Sequence, residues 1–123
     1  MDDLDVLIGR WHNLADLVTG SSEDHLSDAN EALVTEIRLK CLADKEIDKF
    51  ESSKEFTEYV TELHRNEKAW SRRLGEVILL AQDLADSGDK KGAARTFDKF
   101  EASCPWMNFV DISQNQKHAM ELA

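Results

Sequence analysis

Glycine and proline are scarce in this sequence, which has five glycines and one proline in 123 residues. A β-rich domain uses both residues in its turns, so their scarcity argues against a sheet. The longest apolar run, over 77–81, is far too short to cross a bilayer. The acidic N-terminus lacks the basic and apolar regions of a secretory signal. From these absences we expect a single all-α domain over 1–123 that is cytoplasmic and does not enter a membrane.

The residues that carry catalysis or bind metals are scattered. None of the four histidines pairs with another at the spacing that places two metal ligands on one helical face. A carboxyl group that acts as a general acid needs a pKa raised by burial. The carboxylates here occupy polar positions of helical patterns, where burial is not expected. We therefore expect a protein that is not an enzyme and holds no metal or cofactor. An enzyme site assembled from distant residues, for instance His12, His25 and Asp24, is an alternative.

The chain has only two cysteines, Cys41 and Cys104, and both lie in apolar helical patterns. A reactive thiol needs a nearby base and a setting that stabilises the thiolate, and the sequence around neither cysteine offers them. We expect two buried free thiols, with a disulfide as the alternative.

Apolar residues recur at helical spacing along the chain, which predicts a compact bundle of five or six helices joined by short loops. Capping residues mark the expected helix starts: Ser21 with Asp24, Ser52 with Glu55, and Asp89 after a left-handed Gly88. The predicted helices cover 3–19, 24 to about 45, 53–87, 89–103, and a last segment after Pro105.

Two points in this helical pattern are ambiguous. Ile47 and Phe50 either extend the second helix or pack a short connection. The apolar series of the third helix lapses over 64–67, where a polar residue takes an apolar place. In a small domain this lapse favours a break or kink over one helix of about 35 residues.

Most of the large apolar residues are expected in the core. In the last helix Phe109 and Ile112 are among the residues predicted to face inward. The basic pair Arg72-Arg73 is expected to form ion pairs with local acids. The aromatic residues predicted to lie on inner faces are Trp11, Trp70, Trp106, Phe97, Phe100 and Phe109.

The segment from Val77 to Pro105 is similar to one tetratricopeptide repeat. The matching positions are Val77-x2-Leu80-Ala81-x2-Leu84, then Ala93-x3-Phe97 and Pro105. Phe100 departs from the pattern because a small residue is expected there, and no second copy lies 34 residues away. One repeat cannot form a solenoid. The resemblance implies a helical hairpin at about 75–105, tightly packed at Ala81 and Ala93. It does not show a peptide-binding groove.

The formal net charge of −10 resides in the first half of the chain. Residues 1–62 contain 16 acidic and 6 basic residues, whereas residues 63–123 contain 9 of each. Within the acidic half, four glutamates spaced by 4, 3 and 4 share one helical face, and no basic residue is expected among them. Tyr59 lies at the edge of this face, where an amphipathic ring suits a binding hot spot. The candidate partner-binding residues are Glu51, Glu55, Glu58, Tyr59 and Glu62.

In size, low pI and helical content the whole chain resembles the small acidic immunity proteins that bacteria make against their own toxins. Those proteins present an acidic helix face with an aromatic anchor to a basic nuclease. The resemblance implies that the four glutamates around Tyr59 would bind a basic toxin.

We therefore expect a non-enzymatic protein that binds a basic protein partner, with an immunity protein as its specific form. At a pI of about 4.8 the chain should be repelled by nucleic acid and by anionic membranes. The alternative is a secretion chaperone or adaptor that binds clients through an apolar groove and uses its acidity for solubility. The acidic face would then be a solvated helix surface.

Overall fold

The computed structural model describes residues 3–20, 23–42 and 50–122. Within these ranges the chain is all-α, with no strand, which confirms the predicted fold class. The five helices of the described residues are α1 (Asp3–Gly20), α2 (Asp28–Cys41), α3 (Ser53–Asp86), α4 (Lys90–Ser103) and α5 (Met107–Ala119).

The chain divides into two compact units, Met1–Asn66 and Glu67–Ala123, and α3 runs without interruption through the boundary. The predicted break in the third helix is therefore wrong. The polar residues that suggested it, His64 and Glu67, are buried and hold inner-face positions of a continuous helix. The ring of His64 packs edge-on to that of Trp11, with the ring centroids 6.2 Å apart. Neither glycine nor proline occurs between 53 and 74, so no residue in this stretch breaks the helix.

In the first unit, α2 begins four residues later than its predicted start at 24. Ser27 caps it, because its Oγ accepts a hydrogen bond from the amide of Asn30 at 3.1 Å. Asp24 instead stabilises the preceding turn: its Oδ1 accepts from the Leu26 amide at 2.9 Å and from Ser53 Oγ at 2.6 Å. The other member of the expected cap, Ser21, lies outside the described residues. The buried apolar side chains of this unit are Leu7, Trp11, Leu14, Ala15, Val18, Leu33, Val34, Ile37, Cys41, Phe56 and Val60.

Phe50 packs the connection before α3. Its ring lies 5.1 Å from that of Phe56 and 5.2 Å from that of Tyr59, measured between centroids. The second helix ends at Cys41, so Phe50 does not extend it. Ile47 lies outside the described residues.

In the second unit, α3 and α4 form the predicted hairpin. Gly88 has a φ of +92°, and the amides of Gly88 and Asp89 donate to the carbonyls of Ala85 and Leu84 at 3.0 and 2.8 Å. This is a Schellman motif, after which Asp89 caps α4 by accepting from the Gly92 amide at 2.8 Å. Ala81 and Ala93 are fully buried in one cluster with Phe97 and Leu122, as predicted. Leu80 departs from the expectation, since 52% of its surface is exposed.

The last helix packs through a different row of side chains than expected. Phe109 and Ser113 are buried, whereas Ile112 is 41% exposed, so the prediction that Ile112 faces inward is wrong. Ser113 Oγ donates to Glu101 Oε2 of α4 at 3.2 Å, and this bond satisfies the buried hydroxyl. Lys117 lies one turn further along the same row, because residues four apart share a helical face.

Candidate functional site

Glu55, Glu58 and Glu62 lie on the exposed side of the start of α3. Glu51 is exposed but precedes the helix, so the expectation that all four glutamates share one helical face is wrong for Glu51. Ser52 caps the helix, with its Oγ accepting from the Glu55 amide at 3.1 Å. Phe56 and Val60 are fully buried, which turns the opposite side of the helix to solvent. The side chains of Glu58 and Glu62 are 67% and 69% exposed. We call Glu51, Glu55, Glu58 and Glu62 the acidic face.

Two basic side chains lie on the acidic face, so the expectation of a face without lysine or arginine is wrong. Lys54 Nζ lies 3.9 Å from Glu58 Oε1, and Arg65 contacts Glu62 through its guanidinium group. The spacings of four and three residues bring these partners onto the same helical surface. Because all four side chains are exposed, each pair stabilises the fold by at most about 1 kcal/mol. The described residues provide no ion pair to Glu51 or Glu55.

Tyr59 is half-buried beside the acidic face and is held by neighbours that the sequence pattern did not indicate. The guanidinium carbon of Arg38 lies 5.4 Å from the centre of its ring, and the ring of Phe50 packs against it. The expected surround of carboxylates is thus replaced in part by a cation and an aromatic ring. Arg38 belongs to α2, 21 positions earlier, and a contact of this kind leaves no local signal in the sequence.

Negative charge is concentrated in the unit that carries the acidic face. Residues 1–66 contain 16 acidic and 7 basic residues, a formal charge of −9, whereas residues 67–123 contain 9 and 8. A surface of one sign attracts a partner of the other sign over roughly a Debye length, about 8 Å at physiological ionic strength.

Among the side chains that can titrate or bind metals, the rings of His12 and His64 lie near each other, with their centroids 6.2 Å apart. No set of three His, Cys, Asp or Glu side chains in the part of the chain that the structure describes is placed to hold a metal ion. Cys41 and Cys104 are buried free thiols, as predicted. Burial raises the pKa of the Cys104 thiol, which disfavours the reactive thiolate.

Arg73 does not form the ion pair expected for it. Its guanidinium carbon instead lies 4.7 Å from the centre of the Trp70 ring, and neither Arg72 nor Arg73 has an acidic partner among the described residues. Trp70 itself is half-buried rather than a full core residue.

No match to this chain was found among protein-family models, curated proteins or solved structures. The described helices include none with the length and apolar character required to cross a membrane.

Proposed function

We propose that this protein is a non-enzymatic binding protein that takes a basic protein partner on its acidic face. The observation that carries the proposal is the concentration of the formal charge, −9 of −10, in the unit that bears Glu51, Glu55, Glu58 and Glu62. A helix surface with this excess of exposed carboxylates complements a partner rich in lysine and arginine.

The two parts of the surface have different tasks in this proposal. The carboxylates accelerate the encounter by electrostatic steering, which depends on ionic strength. Tyr59 supplies a contact that slows dissociation. Arg38 and Phe50 hold its ring in place, so little side-chain entropy is lost when a partner packs against it.

The specific form that we propose is an immunity protein that neutralises a bacterial toxin in the cytoplasm. It rests on the resemblance in size, charge and helical content described above. Binding would inhibit the toxin by covering its active site or the surface that receives its substrate. If the toxin is a nuclease, glutamates of the acidic face would occupy the positions of substrate phosphates.

One observation favours an adaptor or secretion chaperone as the second candidate. Leu79 and Leu80 are neighbours on α3 in the second unit, and 69% and 52% of their surfaces are exposed. Exposed large apolar side chains are a feature of surfaces that bind apolar segments of other proteins. Such binding would change little with salt, whereas binding by the acidic face would weaken steeply.

The test uses a charge reversal on the acidic face, Glu55→Lys with Glu58→Lys. The matched control, Glu76→Lys with Asp83→Lys, makes the same charge change on exposed positions of the same helix in the second unit. Wild-type protein would first capture its partner from a lysate of the source organism, and the purified partner would then be titrated with each variant.

We expect one basic partner whose association slows at high salt and whose binding is lost in the Glu55/Glu58 variant but kept in the control. Equal binding by both variants would remove the acidic face from the mechanism. A mixed set of clients retained at high salt would favour the adaptor. Circular dichroism of both variants would verify that the fold is intact.

A further inference from the structure

A cleft in the second unit is the feature that the proposed function leaves unused. It lies between α3 and α4 and has a volume of about 290 Å³. Trp70, Arg73 and Leu80 line it from α3, and Lys99 and Phe100 line it from α4. This volume lies at the lower end of the range of ligand pockets, about 300 to 1,000 Å³, and is large enough for one large side chain of a binding partner.

The floor of the cleft is apolar and partly open to solvent. The ring of Trp70 packs against that of Phe100 at a centroid distance of 5.8 Å and an interplanar angle of 68°. Phe100 is buried and holds the floor in place, while Leu80 is 52% exposed at the edge. Covering such a surface with an apolar side chain would favour binding, because apolar area is removed from water.

The rim of the cleft carries two cations without acidic partners. None of the described residues forms an ion pair with Arg73 or Lys99, and no acidic side chain is found among the described residues that line the cleft. Elsewhere in the same unit Lys117 contacts two carboxylates. Arg73 is already placed over the Trp70 ring, so its guanidinium group is oriented before any anion arrives.

The polar side chains at the cleft wall are less available than the cations. Thr96 Oγ1 donates to the carbonyl of Gly92 at 2.9 Å, and Ser103 Oγ donates to the carbonyl of Lys99 at 2.9 Å. Both hydroxyls are thus engaged within α4. Recognition at this cleft therefore depends on an apolar contact and on negative charge of the bound partner.

We propose that this cleft binds a segment of a partner protein that inserts one large apolar side chain flanked by carboxylates. The apolar side chain would pack on Trp70, Phe100 and Leu80. The flanking carboxylates would pair with Arg73 and Lys99, where complementary charge selects the acidic partner. The site is separate in sequence from the acidic face and has the opposite charge preference. The protein thus has one surface for a basic partner and another for an acidic one.

The test measures binding of short synthetic peptides by fluorescence. Trp11 and Trp106 are 0% and 1% exposed, so of the three tryptophans Trp70 is the one that acrylamide reaches readily in the folded protein. The probe peptide has phenylalanine between two acidic residues. One control peptide has serine in place of the phenylalanine, and a second has lysine in place of both acidic residues. Protection of Trp70 from quenching reports occupation of the cleft.

We expect the acidic phenylalanine peptide to bind the wild type and to lose at least about tenfold in affinity in the variant Arg73→Gln with Lys99→Gln. The matched control, Arg72→Gln with Lys91→Gln, removes the same charge outside the cleft and should bind as the wild type does. Equal binding by both variants, or no protection by the acidic phenylalanine peptide, would overturn the proposal.

A second copy of the chain could also occupy the cleft, because its acidic face would complement the cations on the rim. Analytical sedimentation of the wild type and of the Arg73/Lys99 variant tests this alternative. If the wild type self-associates and the Arg73/Lys99 variant does not, the cleft binds the acidic face of another copy rather than a partner segment. That result would overturn the proposal. A wild type that stays monomeric at the concentrations used for the peptides supports it.

Discussion

Lys117 of α5 reaches Glu101 of α4, with its Nζ 3.0 Å from Oε2. The two side chains are only 23% and 13% exposed. The same ammonium group lies 2.8 Å from Asp98 Oδ1, and Ser113 donates to Glu101. Hydrogen bonds to Asp98 and then to Glu101 raise the pKa of Lys117 above 10.5. This network joins the last helix to the hairpin.

Replacing Lys117 by methionine should lower the free energy of unfolding by about 1 kcal/mol at neutral pH. Because the folded-state pKa is raised, the lysine contributes fully below pH 10.5 and loses its contribution as the pH rises through the folded-state value. Urea unfolding of both proteins at pH 7 and well above pH 10.5 measures this. A difference that is the same at both pH values would show that the ion pairs do not cause it, and Lys91→Met serves as the exposed control.

Glu121 follows α5 in a left-handed conformation, with a φ of +59°. The amides of Glu121 and Leu122 donate to the carbonyls of His118 and Lys117 at 3.0 and 2.9 Å, which repeats the Schellman motif seen at Gly88. Glu121→Gly should raise the free energy of unfolding by about 1 kcal/mol, because glycine adopts this conformation without strain. Gly88→Ala should lower it by a similar amount. Urea unfolding measures both, and a destabilising Glu121→Gly would contradict the assigned backbone conformation.

The continuity of α3 through 64–67 can be tested with proline. Asn66→Pro removes a helical hydrogen bond and clashes with the preceding turn, so it should cost about 3 kcal/mol or more of unfolding free energy. Asn66→Ala keeps the helix and controls for loss of the asparagine side chain. Thermal unfolding followed by circular dichroism compares the two. If proline were tolerated as well as alanine, the helix would be broken at this point in solution.

The two buried thiols predict a slow reaction with thiol reagents. Cys41 is 1% exposed and Cys104 is 5% exposed, and burial raises the Cys104 pKa. A disulfide-forming chromogenic reagent should therefore modify neither thiol in the folded protein and both after denaturation in urea. Rapid labelling of the native protein would contradict the burial of these residues.

The helices and the residues that cap them could be predicted because they depend on neighbours in the chain. The apolar spacing of 3–19 matches α1, and the local caps at Ser52, Gly88 and Asp89 lie where predicted. The predicted start of α2 was wrong because two possible capping residues lie within a few positions of each other. Asp24 is used by the turn and by Ser53, so Ser27 becomes the cap.

The surroundings of the candidate site depend on contacts between distant residues. The shared face of Glu55, Glu58 and Glu62 follows from their spacing alone, whereas Glu51 precedes the helix that Ser52 caps. The placement of Arg38 over Tyr59 does not, because it requires α2 and α3 to lie side by side. The cleft with Arg73 and Lys99 likewise joins residues 26 positions apart, and the sequence pattern favoured local ion pairs there.

By itself the sequence determined the all-α class, the hairpin at Gly88 and Asp89, and the concentration of acidic residues in the first half. Each of these follows from local periodicity, local capping or composition. The tertiary structure decided that His64 and Glu67 are buried in an unbroken helix and that Ser113 rather than Ile112 faces inward. It also decided that Arg73 lies on Trp70. A polar residue can take an inner position when neighbouring elements satisfy it, and those neighbours are assembled only by the fold.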